Sequence, residues 1–124
     1  MFSGVHHLGY TVESLDQAIG FYEKAFGGRV LLRKAIPNVG EVAFVVSGNT
    51  MVELVEPIEK GDLKGQVFAH VGYQVPDIEA AIAELKAKGF KFATEKPTVN
   101  VAGWKLIYLD QESALGARIH LTEV

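Results

Sequence analysis

The sequence contains no cysteine. This absence excludes disulfide bonds, thiolate metal ligands and a cysteine nucleophile. No apolar run approaches the ~20 residues that a membrane-spanning helix requires. The first residues, MFSGVHHLG, lack the basic and apolar stretches of a signal peptide. The net charge of −3 gives no basic field for nucleic acid or anionic lipid. We therefore expect a cytoplasmic protein that binds a small-molecule substrate, not nucleic acid or a membrane.

The sequence has no excess of charge and no shortage of apolar residues, so its composition is compatible with a folded core. Hydrophobic residues make up 48% and charged residues 22% of the 124 residues, which is ordinary for a globular domain. A chain of this length buries roughly two-thirds of the surface that it exposes when unfolded. The composition predicts one domain spanning residues 1–124.

The most informative positive feature is an internal repeat. The segment HLGYTV at residues 7–12 returns as HVGYQV at residues 70–75, an offset of 63 that continues into a helical spacing of apolar residues. A later pair of triplets, VEL centred on Glu53 and IHL centred on His120, closes each copy. The repeat therefore predicts one structural unit written twice, with His7 equivalent to His70 and Glu53 equivalent to His120.

Each copy is predicted to form a strand, a helix and three further strands. Module 1 covers residues 1–56, a polar linker covers residues 57–66, and module 2 covers residues 67–124. Ser14 and Asp77 have the positions of helix N-caps, and glycines 27 and 89 end the helices. The predicted strands of module 1 are Val5 to Val12, Arg29 to Lys34, Glu41 to Val46 and Thr50 to Val55. Those of module 2 are the strand opening at Val67, Phe90 to Ala93, Lys105 to Leu109 and Ala117 to Thr122. Residues 98–103 and 110–116 are predicted loops.

The alternation of strand side chains predicts where the repeated polar residues point. His7 lies on the opposite face from Leu8 and Tyr10, and the apolar face must be the one that the helix covers. A carboxylate such as Glu53 in an apolar strand is costly unless it is paired or bound to a metal. A single strand histidine is more often a half-buried aromatic residue than a ligand, but the repeat requires all four positions to converge on one axis. Imidazole and carboxylate suit zinc, cobalt, nickel, manganese or iron, so we predict a divalent metal ion bound by His7, Glu53, His70 and His120.

Four segments carry a resemblance to a known family: HHLGYTVESLDQAIGFYEKAFGG, GNTMVELVEP, AHVGYQVPDIEAAIAELKAKG and LDQESALGARIHL. They resemble the vicinal oxygen chelate superfamily, most closely its methylmalonyl-CoA epimerase-like members. The resemblance implies an α+β fold in which two tandem βαβββ modules form a curved mixed sheet around a half-barrel cleft, as in glyoxalase. It also implies the same four metal ligands and a homodimer, although the family usually has glutamate at the position of His120.

The resemblance implies a metal-dependent isomerase or lyase, of the epimerase type, that acts on a small acid, thioester or ketone through a metal-stabilised enolate. Glu53, His120 and Glu41 are the predicted proton-transfer residues. Glu41 is included because the family's second carboxylate aligns near Asn38. Gln74, Asn38, Asn49 and Trp104 are predicted substrate contacts.

Two other functions remain open at this point. An Fe(II) or Ni(II) dioxygenase of the same fold would suit a site with three histidines and one glutamate. A non-catalytic protein that binds a drug or metabolite is the third possibility. A measurement of metal content distinguishes the two metal-dependent enzymes from the binding protein. A measurement of oxygen consumption distinguishes the dioxygenase from the isomerase.

Overall fold

The structure is a computed structural model that describes residues 2–124. These residues form two compact units, one of residues 7–69 and one of residues 70–124 together with residues 2–6. The elements of the first copy are β1 (Gly4–Val12), α1 (Leu15–Phe26), β2 (Arg29–Ile36), β3 (Gly40–Ser47) and β4 (Thr50–Pro57). Those of the second copy are β5 (Gln66–Gln74), α2 (Ile78–Ala87), β6 (Thr98–Val99), β7 (Lys105–Tyr108) and β8 (Ile119–Glu123).

The unit of residues 7–69 is a four-stranded sheet covered on one face by α1. The strand order is β2-β3-β4-β1, and β1 pairs with β4 in parallel while the other pairs are antiparallel. The helix begins where the Ser14 hydroxyl accepts a hydrogen bond from Gln17 N–H, and it ends at Gly27 with a φ of 64°. Apolar residues of the helix and sheet form one core: Val12, Leu15, Ile19, Ala43, Val45, Val52 and Leu54.

The unit of residues 70–124 repeats this arrangement with α2 over its own sheet. The strand order is β5-β8-β7-β6, with β5 and β8 parallel and the remaining pairs antiparallel. Asp77 caps α2 by accepting a hydrogen bond from Ala80 N–H at 3.1 Å. The core of this unit consists of Val75, Ile78, Ala81, Ile82, Leu85, Ile107 and Leu121. The predicted α+β fold of two βαβββ modules is confirmed.

A glutamate at the end of the last strand anchors the helix in each copy, a feature that the sequence did not suggest. Glu56 Oε1 accepts the N–H of Leu15 at 2.6 Å, and Glu123 Oε1 accepts the N–H of Ile78 at 2.8 Å. Glu56 and Glu123 each lie three residues after the position shared by Glu53 and His120. A carboxylate stabilises a helix N-terminus because the first N–H groups lack partners within the helix. The repeat therefore extends to the contact between helix and sheet.

One strand prediction in the second copy was wrong. The segment Phe90 to Ala93 forms no strand among the described residues, where Phe92 makes only an isolated bridge to Leu109. Its backbone is held by a loop instead, since Lys91 N–H donates to the Ser113 hydroxyl and Lys91 C=O accepts from Asp110 N–H. The second strand of the module is β6, within the stretch 98–103 that was predicted as a loop. In the part of the chain that is described, neither helix has the length and apolar surface needed to span a membrane.

Candidate metal centre

In the unit of residues 7–69 the structure brings His7 and Glu53 together. Strands β1 and β4 pair in parallel with Gly9 opposite Glu53, and His7 Nε2 lies 3.8 Å from Glu53 Oε1. His7 is buried, and the Glu53 side chain is 17% exposed. The ring of Phe44, which lies opposite Glu53 on β3, packs edge-on against His7 with centroids 5.9 Å apart. A buried imidazole and a carboxylate therefore share the face turned away from α1.

In the unit of residues 70–124 the structure brings His70 and His120 together in the same way. Strands β5 and β8 pair in parallel with Gly72 opposite His120, which is the register of Gly9 and Glu53. The two imidazole centroids lie 5.0 Å apart, and both residues are buried. Tyr108 lies directly opposite His120 on β7 and contacts both rings, at 4.9 Å from His120 and 6.0 Å from His70.

The electrostatics of His120 favour the neutral imidazole that a metal requires. Burial is the main cause that lowers the pKa of His120 to about 4. The neighbouring His70 also contributes to the lowering, and Arg118 contributes less. The Nδ1 atom lies 2.9 Å from the hydroxyl oxygen of Thr122, which is completely buried. Imidazole and carboxylate donors of this kind fit a borderline divalent ion such as zinc or cobalt, and each unit contributes two of them.

Glu41 does not share a face of the sheet with Glu53. On β3, Phe44 is the residue opposite Glu53, so Glu41 points to the other face, on which α1 lies. There its two carboxylate oxygens accept hydrogen bonds from Arg33, at 3.1 and 2.9 Å. Arg33 also binds Asp16 on α1 at 2.7 Å. Glu41 is therefore part of a surface ion-pair network between the sheet and the helix.

The four predicted substrate contacts lie in different local settings. Asn38 and Asn49 are exposed in turns, and Asn38 adopts a left-handed conformation with a φ of 65°. Gln74 is half-buried on β5, opposite Thr122. Trp104 precedes β7, where its backbone N–H donates to the Asn100 side-chain oxygen at 3.0 Å.

Three residues that contact the histidines were not predicted as site residues. They are Phe44, Tyr108 and Thr122. Tyr108 and Phe44 are the cross-strand neighbours of His120 and Glu53, so only the register of the antiparallel pairs reveals them. Thr122 stands two residues after His120, on the same face of β8, and this spacing is visible in the sequence.

Comparison with known proteins finds one superfamily profile and several epimerases that match most of this chain. The profile of the glyoxalase/bleomycin resistance protein/dioxygenase superfamily matches residues 6–108. The mitochondrial methylmalonyl-CoA epimerase of Homo sapiens is 28% identical over 128 residues, covering 96% of this chain and 73% of the human protein. The ethylmalonyl-CoA/methylmalonyl-CoA epimerase of Cereibacter sphaeroides is 26% identical over 134 residues, covering 100% of both chains.

A solved structure shares the fold. The crystal structure of methylmalonyl-CoA epimerase from Mycobacterium tuberculosis superimposes with a TM-score of 0.87 at 20% identity. The match covers 98% of this chain and 88% of the mycobacterial chain. At this level of identity the likeness establishes the fold alone.

Proposed function

Because the chain belongs to the glyoxalase/bleomycin resistance protein/dioxygenase superfamily, we propose that it is a divalent-metal-dependent epimerase of small acyl thioesters. The observation that carries this proposal is the matched pair of half-sites. His7 with Glu53 and His70 with His120 occupy equivalent registers of equivalent parallel strand pairs. Relatives that match nearly the whole chain are epimerases of methylmalonyl-CoA and ethylmalonyl-CoA, so thioesters of 2-substituted malonic acids are the substrate class that we assign.

We assign the metal to His7, Glu53, His70 and His120. Zinc, cobalt, nickel, manganese and iron(II) all accept this donor set. A divalent ion there would supply a Lewis acid that stabilises negative charge on the thioester oxygen. Three neutral imidazoles and one carboxylate leave a divalent ion formally at +1. Two carboxylates would neutralise it, so His120 makes the centre more favourable for an anionic substrate than a glutamate would.

Two groups of the chain remain to move the proton at the α-carbon once Glu41 is set aside. Glu53 is a carboxylate beside a buried imidazole, and its charged form accepts a proton. His120 is neutral at pH 7, since burial lowers its pKa to about 4, and a neutral imidazole that is released from the metal accepts a proton as well. We therefore assign proton transfer to Glu53 and His120, with the buried ring of Phe44 and the half-buried ring of Tyr108 limiting the access of water to them.

Deuterium exchange tests the reaction directly. The protein is stripped with a chelator, reloaded with Co(II), Ni(II), Mn(II) or Zn(II), and incubated with methylmalonyl-CoA in D2O while the α-proton signal is followed by NMR. We expect exchange that requires metal and is lost at least 100-fold in Glu53→Gln and His120→Gln. Absence of exchange with methylmalonyl-CoA and ethylmalonyl-CoA for every metal would exclude the epimerase. Oxygen uptake by the Fe(II) form would then identify a dioxygenase.

We also propose that the protein is a homodimer. Val5 and Phe68 occupy equivalent positions in the first strand of each copy, and their side chains are 54% and 53% exposed. Exposed apolar surface often marks a protein–protein contact, and we assign these two positions to contacts with a second copy of the chain. Light scattering after gel filtration should give twice the chain mass for the wild type and the chain mass for Val5→Asp combined with Phe68→Asp. A monomeric wild type would refute the proposal.

A further inference from the structure

An arginine lies next to the histidine pair of the second unit. Arg118 precedes β8 by one residue, and its C=O accepts the N–H of Val71, which continues the pairing with β5. Its guanidinium carbon lies 5.0 Å from the centre of the Tyr108 ring, and that ring contacts His120. Because Arg118 and His120 are two residues apart, they share one face of the strand. The Tyr108 ring therefore lies between the Arg118 guanidinium and the predicted metal ligands His70 and His120.

No carboxylate within residues 2–124 forms a salt bridge with Arg118. Arg33 provides the contrast, since Asp16 and Glu41 occupy its guanidinium. An arginine stacked on a tyrosine keeps its planar group oriented and its N–H donors available to another anion. Arg118 thus has the properties of a ligand-binding residue, whereas Arg33 has those of a structural one.

Arg118 also lines a cavity large enough for a small ligand. The cavity has a volume of about 400 Å³ and is lined by Ala93, Thr94, Thr98, Leu106, Ile107, Tyr108, Leu109, Asp110, Gln111 and Arg118. Ligand sites of this size combine apolar walls with a few polar groups that orient the ligand. Asp110 is the acidic group of the wall, and its carboxylate accepts the N–H of Ser113. Arg118 is the cation of the wall, and its guanidinium is the group that can bind an anion there.

We propose that Arg118 binds the free carboxylate of the acyl group and so selects thioesters of dicarboxylic acids. This inference rests on the proposed function and names the substrate feature that the site recognises. A guanidinium binds a carboxylate through two parallel N–H···O hydrogen bonds, a geometry that lysine cannot reproduce. Arg118 is a specificity residue in this scheme, and it takes no part in moving the proton.

The kinetic test compares substrates with and without the carboxylate. Exchange of the α-proton is measured for methylmalonyl-CoA and for isobutyryl-CoA, which lacks the second carboxylate. In Arg118→Gln we expect KM for methylmalonyl-CoA to rise about 10- to 100-fold, the loss typical of one charge-assisted pair. The kcat for methylmalonyl-CoA and the exchange rate of isobutyryl-CoA should change less than twofold. Arg118→Lys should lie between the wild type and Arg118→Gln.

Arg29→Gln is the matched control, because Arg29 is an exposed strand arginine of the other unit and the substitution changes the net charge equally. It should leave both substrates unaffected. Equal losses for both thioesters in Arg118→Gln would assign Arg118 to the phosphates of coenzyme A and overturn the proposal. Unchanged KM for both would overturn it as well.

A binding measurement separates this inference from the proposed function. Malonate is titrated into the purified protein by calorimetry, with and without Co(II), and no turnover is needed. Wild type should bind malonate at least 10-fold more tightly than Arg118→Gln, while Arg29→Gln should match the wild type. If no thioester exchanges but this difference is present, the epimerase proposal fails and the carboxylate site stands. Equal malonate affinity in wild type and Arg118→Gln removes the site whatever the reaction is.

Discussion

The hydroxyl oxygen of Thr122 lies 2.9 Å from Nδ1 of His120, and both side chains are buried. If Nδ1 carries the proton and donates it to the hydroxyl, Nε2 is the nitrogen that can bind a metal ion. Such partners fix the tautomer and orientation of metal-binding histidines, and their loss costs about 10- to 100-fold in metal affinity. Thr122 is therefore a positioning residue for His120.

Thr122→Val keeps the shape of the side chain and removes the hydroxyl. We expect its Co(II) dissociation constant to rise about 10-fold, measured by competition with a chromophoric chelator. Thr122→Ser keeps the hydroxyl and should stay within about threefold of the wild type. NMR of 15N-labelled histidine should show a change of tautomer at His120 in the valine variant alone. Wild-type affinity in Thr122→Val would mean that the hydroxyl does not hold the ligand.

Glu41→Gln should leave catalysis intact. Its carboxylate binds Arg33 on the face that carries α1, so we expect exchange of the α-proton within twofold of the wild-type rate. The free energy of unfolding should fall by about 1 kcal/mol or less, because exposed ion pairs contribute little. Glu53→Gln is the matched control and should abolish exchange. A 100-fold loss in Glu41→Gln would return this residue to the proton-transfer role.

The face on which Glu41 lies could not be predicted from the sequence, because β3 is buried on both faces. The strand sequence GEVAFVVS has no alternation, because the side chains of residues 42–45 are all buried. An apolar run that is buried on both faces carries no signal of which face a polar residue shares. The register of β3 against β4 supplies that information, and it pairs Glu53 with Phe44. In β1 and β5, by contrast, histidine and glycine alternate with apolar residues, so the face of each predicted ligand was visible.

In the second copy, the ends of the helix could be predicted from the sequence, whereas the short strand β6 could not. Asp77 and Gly89 correctly placed the ends of α2, since capping chemistry is local. Strand β6 is only two residues long, and Thr98 and Val99 are both exposed. So short a strand has no hydrophobic period of its own, and its pairing with β7 is a tertiary effect. The contact of Thr122 with His120 likewise depends on side-chain rotamers that no sequence pattern encodes.

The left-handed conformation of Asn38 predicts a difference between two substitutions. Its φ is 65° in the turn between β2 and β3, a region that glycine and asparagine tolerate and alanine does not. Asn38→Ala should lower the free energy of unfolding by about 1 kcal/mol, and Asn38→Gly should change it by less than about half as much. Urea denaturation followed by circular dichroism measures both. Equal losses in the two variants would show that the amide group, not the backbone, stabilises this turn.

The carboxylate of Glu56 should make stability depend on pH below about 4.5. The N–H of Leu15, and then Lys60, lower the pKa of Glu56 below its ordinary value of 4.5. This contribution is therefore complete above that value and is lost as the pH falls through the lowered pKa. Glu56→Gln keeps an acceptor and removes the charge, so it should cost about 0.5–1 kcal/mol at pH 7. The cost should shrink towards zero at pH 2, and Glu59→Gln, at an exposed residue near the same linker, should have no effect. Denaturant titrations at both pH values provide the measurement, and an equal cost at pH 7 and pH 2 would contradict the electrostatic anchor.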